Sequence, residues 1–69
     1  MKLSARNVIK GRVVAITPGV VNVEVVIEIA PGVQVVSIIT KSSAESLGLA
    51  VGKEAYAVVK ASSVMVAVE

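Results

Sequence analysis

Cysteine and histidine are both absent from this 69-residue chain, and Tyr56 is its only aromatic residue. Without cysteine there is neither a disulfide framework nor a thiolate metal site, and without histidine only oxygen ligands remain for a transition metal. No directly coordinated metal cation and no cofactor is therefore expected. Catalysis is excluded on similar grounds: the imidazole and thiol groups of common nucleophile pairs are missing. No serine stands in a recognisable nucleophile setting, and the acids and lysines are too scattered to nominate a general base. Long apolar runs are missing as well. Lys10, Arg12, Asn22, Glu24, Glu28, Lys41, Lys53 and Lys60 interrupt every stretch well before the ~20 apolar residues of a membrane-spanning helix. Lys2 and Arg6 are followed by polar and charged residues rather than an apolar segment, so no signal peptide is expected and the cytoplasm is the expected compartment.

What is present is a large share of small apolar side chains. Hydrophobic residues make up 55% of the chain, mostly valine, isoleucine and alanine, in a length at which one core is marginal. Each such side chain contributes only about 1.5–3 kcal/mol when fully buried. A single chain this short cannot enclose them all. Strands with apolar residues on both faces imply an oligomer, one face buried within the subunit and the other against a neighbour.

The net charge is +2, and Lys2, Arg6, Lys10 and Arg12 all precede the first acid, Glu24. That asymmetry favours a small anionic ligand over nucleic acid, because a single-strand binder combines its basic groove with stacking aromatics. A nucleic-acid-binding module on the same scaffold is the alternative reading. A ligand-free assembly subunit, supported only by the valine surplus, is the third.

Periodicity predicts an all-β domain spanning residues 1–69. Val8 to Thr17 reads as a first strand, with Gly11 marking a bulge or a close backbone approach. Pro18-Gly19 and Pro31-Gly32 have the residue order of type II turns. Between them, Val21, Val23, Val25, Ile27 and Ile29 alternate with Asn22, Glu24 and Glu28, the pattern of a half-buried strand. Val33 to Thr40 is the third strand. Ser42 lies three residues before Glu45, as in a capping box, and Gly48 suits a helix C-terminus, so a short helix follows. Glu54 to Lys60 and Ser63 to Val68 complete five strands. Five strands with one short helix between the third and fourth have the element order of a small barrel of the oligonucleotide/oligosaccharide-binding (OB) type.

Three polar clusters fall at strand ends: Ser4 to Asn7, Thr40 to Ser43, and Lys60 to Ser63. Each combines hydroxyl groups with one cation, Arg6, Lys41 or Lys60. Donors around positive charge suit an oxyanion, and a helix N-terminus near Ser43 adds unpaired backbone N–H groups. Each cluster also has an ordinary reading. Ser42 or Ser43 is a helix cap, Lys60 a solvated edge residue, Arg6 the partner of a nearby glutamate, and Ser4 to Asn7 a frayed end.

Ser4-Ala5-Arg6-Asn7 with Gly11, then Ser37-Ile38-Ile39-Thr40, Ser43, Leu47-Gly48-Leu49, Gly52, and Val59-Lys60-Ala61-Ser62 with Val64, resemble the molbindins (Mop proteins), stand-alone versions of the molybdate-binding TOBE domain. The resemblance spans nearly the whole chain. It implies an OB-type barrel assembled as a hexamer, a trimer of dimers, that binds molybdate or tungstate at subunit interfaces in the cytoplasm. Carried over residue by residue, it implies that Ser4, Arg6 and Asn7 of one subunit donate to the oxyanion. Thr40, Ser43, Lys60, Ala61 and Ser62 would complete the site from a partner, Ala61 through its backbone. Lys41 and Ser42 have no counterpart in the family pattern. Molybdate is a fully ionised tetrahedral dianion near neutral pH, so a site of donors alone suits it. Hydrogen phosphate carries a proton that needs an acceptor, and Glu45 is the one carboxylate near the clusters.

Overall fold

A computed structural model describes all 69 residues. Its elements are β1 (Asn7–Pro18), β2 (Asn22–Ala30), β3 (Val33–Thr40), helix α1 (Lys41–Leu47) and β4 (Glu54–Val59), followed by a single 3-10 turn over Ala61–Ser63. The four strands form one antiparallel sheet in the order β3-β2-β1-β4. The long strand β1 serves two neighbours in turn. Its first half, Asn7 to Arg12, pairs with β4, and its second half, Arg12 to Pro18, pairs with β2. Changing partners part-way along one strand curls the sheet into half a barrel, with β3 and β4 as its two open edges.

The expected alternation places the core. Val23, Val25 and Ile27 of β2 are buried with Val13 of β1 and Ala57 of β4, while Ile16, Ile29, Val35, Ile39, Ala44, Leu49 and Ala55 pack around them. Val21 leaves the expected face, because it stands in the β1–β2 loop and is exposed. Only five residues are buried, against seventeen large apolar side chains that are exposed. The surplus inferred from composition is therefore on the surface of the single chain.

Turn chemistry divides. At Pro31-Gly32 the glycine takes φ 74°, the sign required of the third residue of a type II turn, and Pro31 cannot adopt the mirror-image alternative. At Pro18-Gly19 the type II expectation fails, since Gly19 is not among the positive-φ glycines. The hairpin ladder runs on through Pro18, which pairs with Val23, and Gly19 N donates to Asn22 O at 2.8 Å, leaving the reversal to Val20 and Val21. Gly11 is a close approach, not a bulge. A Cβ there would lie 2.6 Å from the Glu28 carbonyl oxygen and 2.7 Å from Ile27 Cγ2. The bulge in β1 falls between Val13 and Ala15 instead.

The helix begins earlier than the capping-box reading put it. Thr40, the last residue of β3, is itself the N-cap: its Oγ1 accepts from Ser43 N at 3.1 Å. The Ser42/Glu45 pair has no capping part because the chain turns directly from strand into helix. The C-terminus is as expected. Gly48 has φ 63°, its N–H reaches Glu45 O, and Leu49 N reaches Ala44 O at 3.1 Å, the paired bonds of a Schellman motif.

The fifth strand is absent. Its expected start at Ser63 belongs to the 3-10 turn, and residues 64–69 join no ladder. Alternation supplied strand propensity, but a strand also needs a neighbour to accept and donate its backbone bonds. None of residues 59–69 lines the apolar cavity of about 400 Å³ between β2, β3 and β4.

Candidate oxyanion site

Strand β1 decides where the clusters lie. Asn7, at its start, is in register with Val59 and donates from Nδ2 to the Val59 carbonyl at 3.2 Å. Asn7, the last residue of the first cluster, therefore sits beside the start of the Lys60–Ser63 turn of the same chain. Thr40 pairs with Asn22, one step beyond the Pro18–Val23 pair at the far end of β1. At about 3.3 Å per residue, the strand between these ends has a contour of roughly 36 Å, in a molecule whose longest extent is 35 Å. Asn7 thus stands beside the start of the Lys60–Ser63 turn, with Arg6 as its chain neighbour, and Thr40 and Ser43 stand apart at the opposite end of the sheet. The sequence-based grouping of the Lys60 turn with Thr40 differs from this arrangement within one chain. Periodicity carries no record of which strand ends pair.

The group at the Asn7 end is rich in uncommitted donors. The side chains of Arg6 and Lys60 are exposed and make neither an ion pair nor a hydrogen bond; the one salt bridge of the chain joins Lys10 Nζ to Glu54 at 3.2 Å. The pairing of Arg6 with a glutamate does not occur. Within the turn, Ser63 N donates to Lys60 O at 2.8 Å and Val64 N to Ala61 O at 3.2 Å, and no backbone carbonyl accepts from the N–H groups of Ala61 or Ser62. First-turn amides have no partner within the turn itself. The two segments carry two cations, the hydroxyls of Ser4 and Ser62, two amide N–H groups and the Asn7 carboxamide, with no carboxylate among their residues.

At the other end, Thr40 Oγ1 donates to Ser43 Oγ at 2.8 Å while accepting from Ser43 N. That arrangement leaves the Ser43 hydroxyl proton free to point outward. Ser42, Ser43 and Ser46 line an open hollow beside it. Lys41 is half-buried, and its backbone N donates to Val21 O at 3.0 Å, tying the helix start to the β1–β2 loop.

The apolar cavity between β2, β3 and β4 is not this site. It contains none of the eight candidate residues and is lined chiefly by side chains such as Val25, Ile27 and Ile39. A dianion entering it would lose its hydration against a predominantly hydrophobic lining.

Two structural cations escaped the sequence reading. Lys53 Nζ donates to Gly48 O at 2.9 Å and to Leu47 O at 3.3 Å, closing the helix C-terminus, and Arg12 Nη1 donates to Gly52 O at 2.6 Å. Both reach across a chain reversal, and no local spacing announces them. A threonine immediately before a helix could have flagged Thr40 as the cap.

The fold is a small curled antiparallel sheet carrying carboxylate-free clusters of hydrogen-bond donors at its strand ends. Residues 3–66 match the TOBE domain. The chain belongs to that family and, within it, to the Mop proteins. It is 52% identical over 69 residues, the full length of both chains, to a probable molybdenum-pterin-binding protein of Haemophilus influenzae. Its structure resembles MopII from Clostridium pasteurianum (apo2) with a TM-score of 0.90 and 49% identity, covering 97% of this chain and all of the other. A molybdate-binding protein from Sporomusa ovata matches with a TM-score of 0.90 and 34% identity, over 97% and 98% of the two chains.

Proposed function

We propose that this protein binds molybdate or tungstate as a tetrahedral oxyanion, at interfaces between copies of the chain, and serves molybdenum storage and homeostasis in the cytoplasm as a single-domain binding protein without catalytic activity. The observation that carries the reading is the donor set around Arg6, Asn7 and the Lys60–Ser62 turn, with two unpaired cations, free amide N–H groups and no carboxylate. The relatives, a probable molybdenum-pterin-binding protein and a molybdate-binding protein, support the same ligand.

Geometry supports an intersubunit site. Thr40 and Ser43 stand at the opposite end of β1 from Arg6 and Lys60, so an ion a few ångströms across meets both groups only if two chains supply them. The exposed apolar surface and the two open sheet edges supply the material for such contacts. The proposed assembly is a hexamer built as a trimer of dimers. No helix is long and apolar enough to cross a membrane.

Calorimetric titration of the purified protein with molybdate, tungstate, sulfate and phosphate tests the reading. Heat with the first two and little with phosphate is expected. An absence of heat with molybdate and tungstate refutes it. Light scattering that shows a monomer refutes the interface location.

A further inference from the structure

One side-chain hydrogen bond joins the beginning of the chain to its last strand. Asn7 Nδ2 donates to the Val59 carbonyl at 3.2 Å across 52 positions of sequence, and Asn7 is half-buried while Ser4 and Arg6 before it are exposed. The bond lies one residue from each uncommitted cation: Asn7 follows Arg6, and Val59 precedes Lys60. It also falls where the ladder stops, since the pairing of β1 with β4 begins at Asn7 and Val59 and includes neither Arg6 nor Lys60.

Beyond Val59 the chain sets its own course. Lys60 is the N-cap of the 3-10 turn, with φ −62° and ψ 132°, and no side chain caps it. The turn is closed by bonds within itself, Ser63 N to Lys60 O at 2.8 Å and Val64 N to Ala61 O at 3.2 Å. Neither reaches back to the sheet. The Val59 carbonyl does, and it shares one planar peptide unit with the Lys60 nitrogen. Holding that oxygen fixes the first peptide plane of the turn, the frame from which the Lys60 side chain and the N–H groups of Ala61 and Ser62 are presented.

Resting on the oxyanion reading above, we propose that Asn7 is a positioning residue: its carboxamide clamps the Val59–Lys60 peptide to β1 and so presets the Lys60–Ser62 donors in the ligand-free protein. Its contribution to affinity comes through the turn, not through a bond of its own to the ion. That differs from the direct donation which the family resemblance implies for this residue. Preset donors bind more tightly because their ordering precedes the arrival of the ion. When only a fraction of molecules holds the binding geometry, apparent affinity falls by that fraction.

Amide exchange followed by NMR on the assembled, nitrogen-15-labelled full chain reads the turn through the Ser63 and Val64 amides, and calorimetry with sodium molybdate reads the site. Wild type, Asn7→Ala and Asn7→Asp are compared, the last keeping the shape of the side chain while removing its N–H donor. Without molybdate, the two amides of the wild type should exchange at least about five-fold slower than in an unstructured peptide, and those of both variants within about two-fold of that peptide. The core amides of Val25 and Ile27 should change less than about two-fold. Asn7→Ala should weaken molybdate binding by about two- to ten-fold, the span of one lost neutral hydrogen bond, and saturating molybdate should return its Ser63 and Val64 amides to wild-type exchange. Weaker binding with turn amides as slow as in the wild type overturns the assignment and makes Asn7 a direct donor. Faster turn exchange with unchanged affinity overturns it as well, because the site would then need no presetting. Faster exchange throughout the sheet overturns it in favour of general destabilisation. No heat from the wild type removes the oxyanion reading itself, and the assignment with it.

Discussion

Replacing Gly11 with alanine is expected to destabilise the fold more than any other single methyl group added to β1. The new Cβ would stand 2.6 Å from the Glu28 carbonyl oxygen and 2.7 Å from Ile27 Cγ2, and neither neighbour is free to yield. Glu28 pairs with Arg12 on one side and Gln34 on the other, and Ile27 is 6% exposed within the core. Inserting a methyl group into such a site costs about 1–3 kcal/mol, and a backbone oxygen as the obstacle places this case in the upper half of that range. A domain of this size loses about 4–8 °C of melting temperature per kcal/mol, so a fall of roughly 10–20 °C is expected. Thermal melts of the wild type and G11A by circular dichroism check this. They must be run at equal protomer concentration, since association shifts the apparent midpoint. Molybdate affinity of the folded variant should stay within about three-fold, because Gly11 belongs to neither donor group. A G11A melt within about 2 °C of the wild type would refute the close-approach argument.

Arg6→Ala and Lys60→Ala each remove a charged donor without touching the core, and each is expected to weaken molybdate binding by about 10- to 150-fold, from about 1.5–3 kcal/mol per charge-assisted bond, with the oligomer unchanged by light scattering. Unaltered affinity by calorimetry would show that the ion binds elsewhere. Thr40→Val removes the helix N-cap and the relay to Ser43, for a loss of about 1 kcal/mol in denaturant unfolding together with weaker anion binding; Thr40→Ser should restore both. Gly48→Ala forces a side chain into a left-handed position at φ 63°, with an expected cost of about 1–2 kcal/mol in the same assay and no direct effect on the ligand.

The parts of the fold legible in the sequence are those whose cause is local. Val23, Val25 and Ile27 announce a buried face through their spacing, Pro31-Gly32 encodes its turn in the two residues that make it, and Gly48 marks the helix end because only a left-handed residue closes that motif. What depended on distant residues was not legible. Pro18-Gly19 has the same letters as Pro31-Gly32, yet the ladder that carries Pro18 past the expected turn belongs to β2. The Val64–Val68 run has strand character, yet it joins no ladder of the sheet, because alternation alone supplies no neighbouring edge. For the site, residue types at three strand ends pointed to an oxyanion. The separation of Thr40 from Lys60, and the placing of Lys60 beside Asn7, follow only from how β1 is paired.

Lys53 shows how so small a molecule holds such separations constant. Its carbonyl accepts from Val13 N at 2.9 Å, in the middle of β1, while its ammonium group grips Gly48 O and Leu47 O at the end of the helix. One residue thus fastens the helix, and through it the Thr40–Ser43 corner, to the strand that also carries Asn7. Under the intersubunit site proposed above, the subunit acts as a fixed caliper: discrimination between oxyanions of different radius would rest on how two copies are set against each other, so a conservative change at their contact would retune selectivity while every proposed donor stays in place.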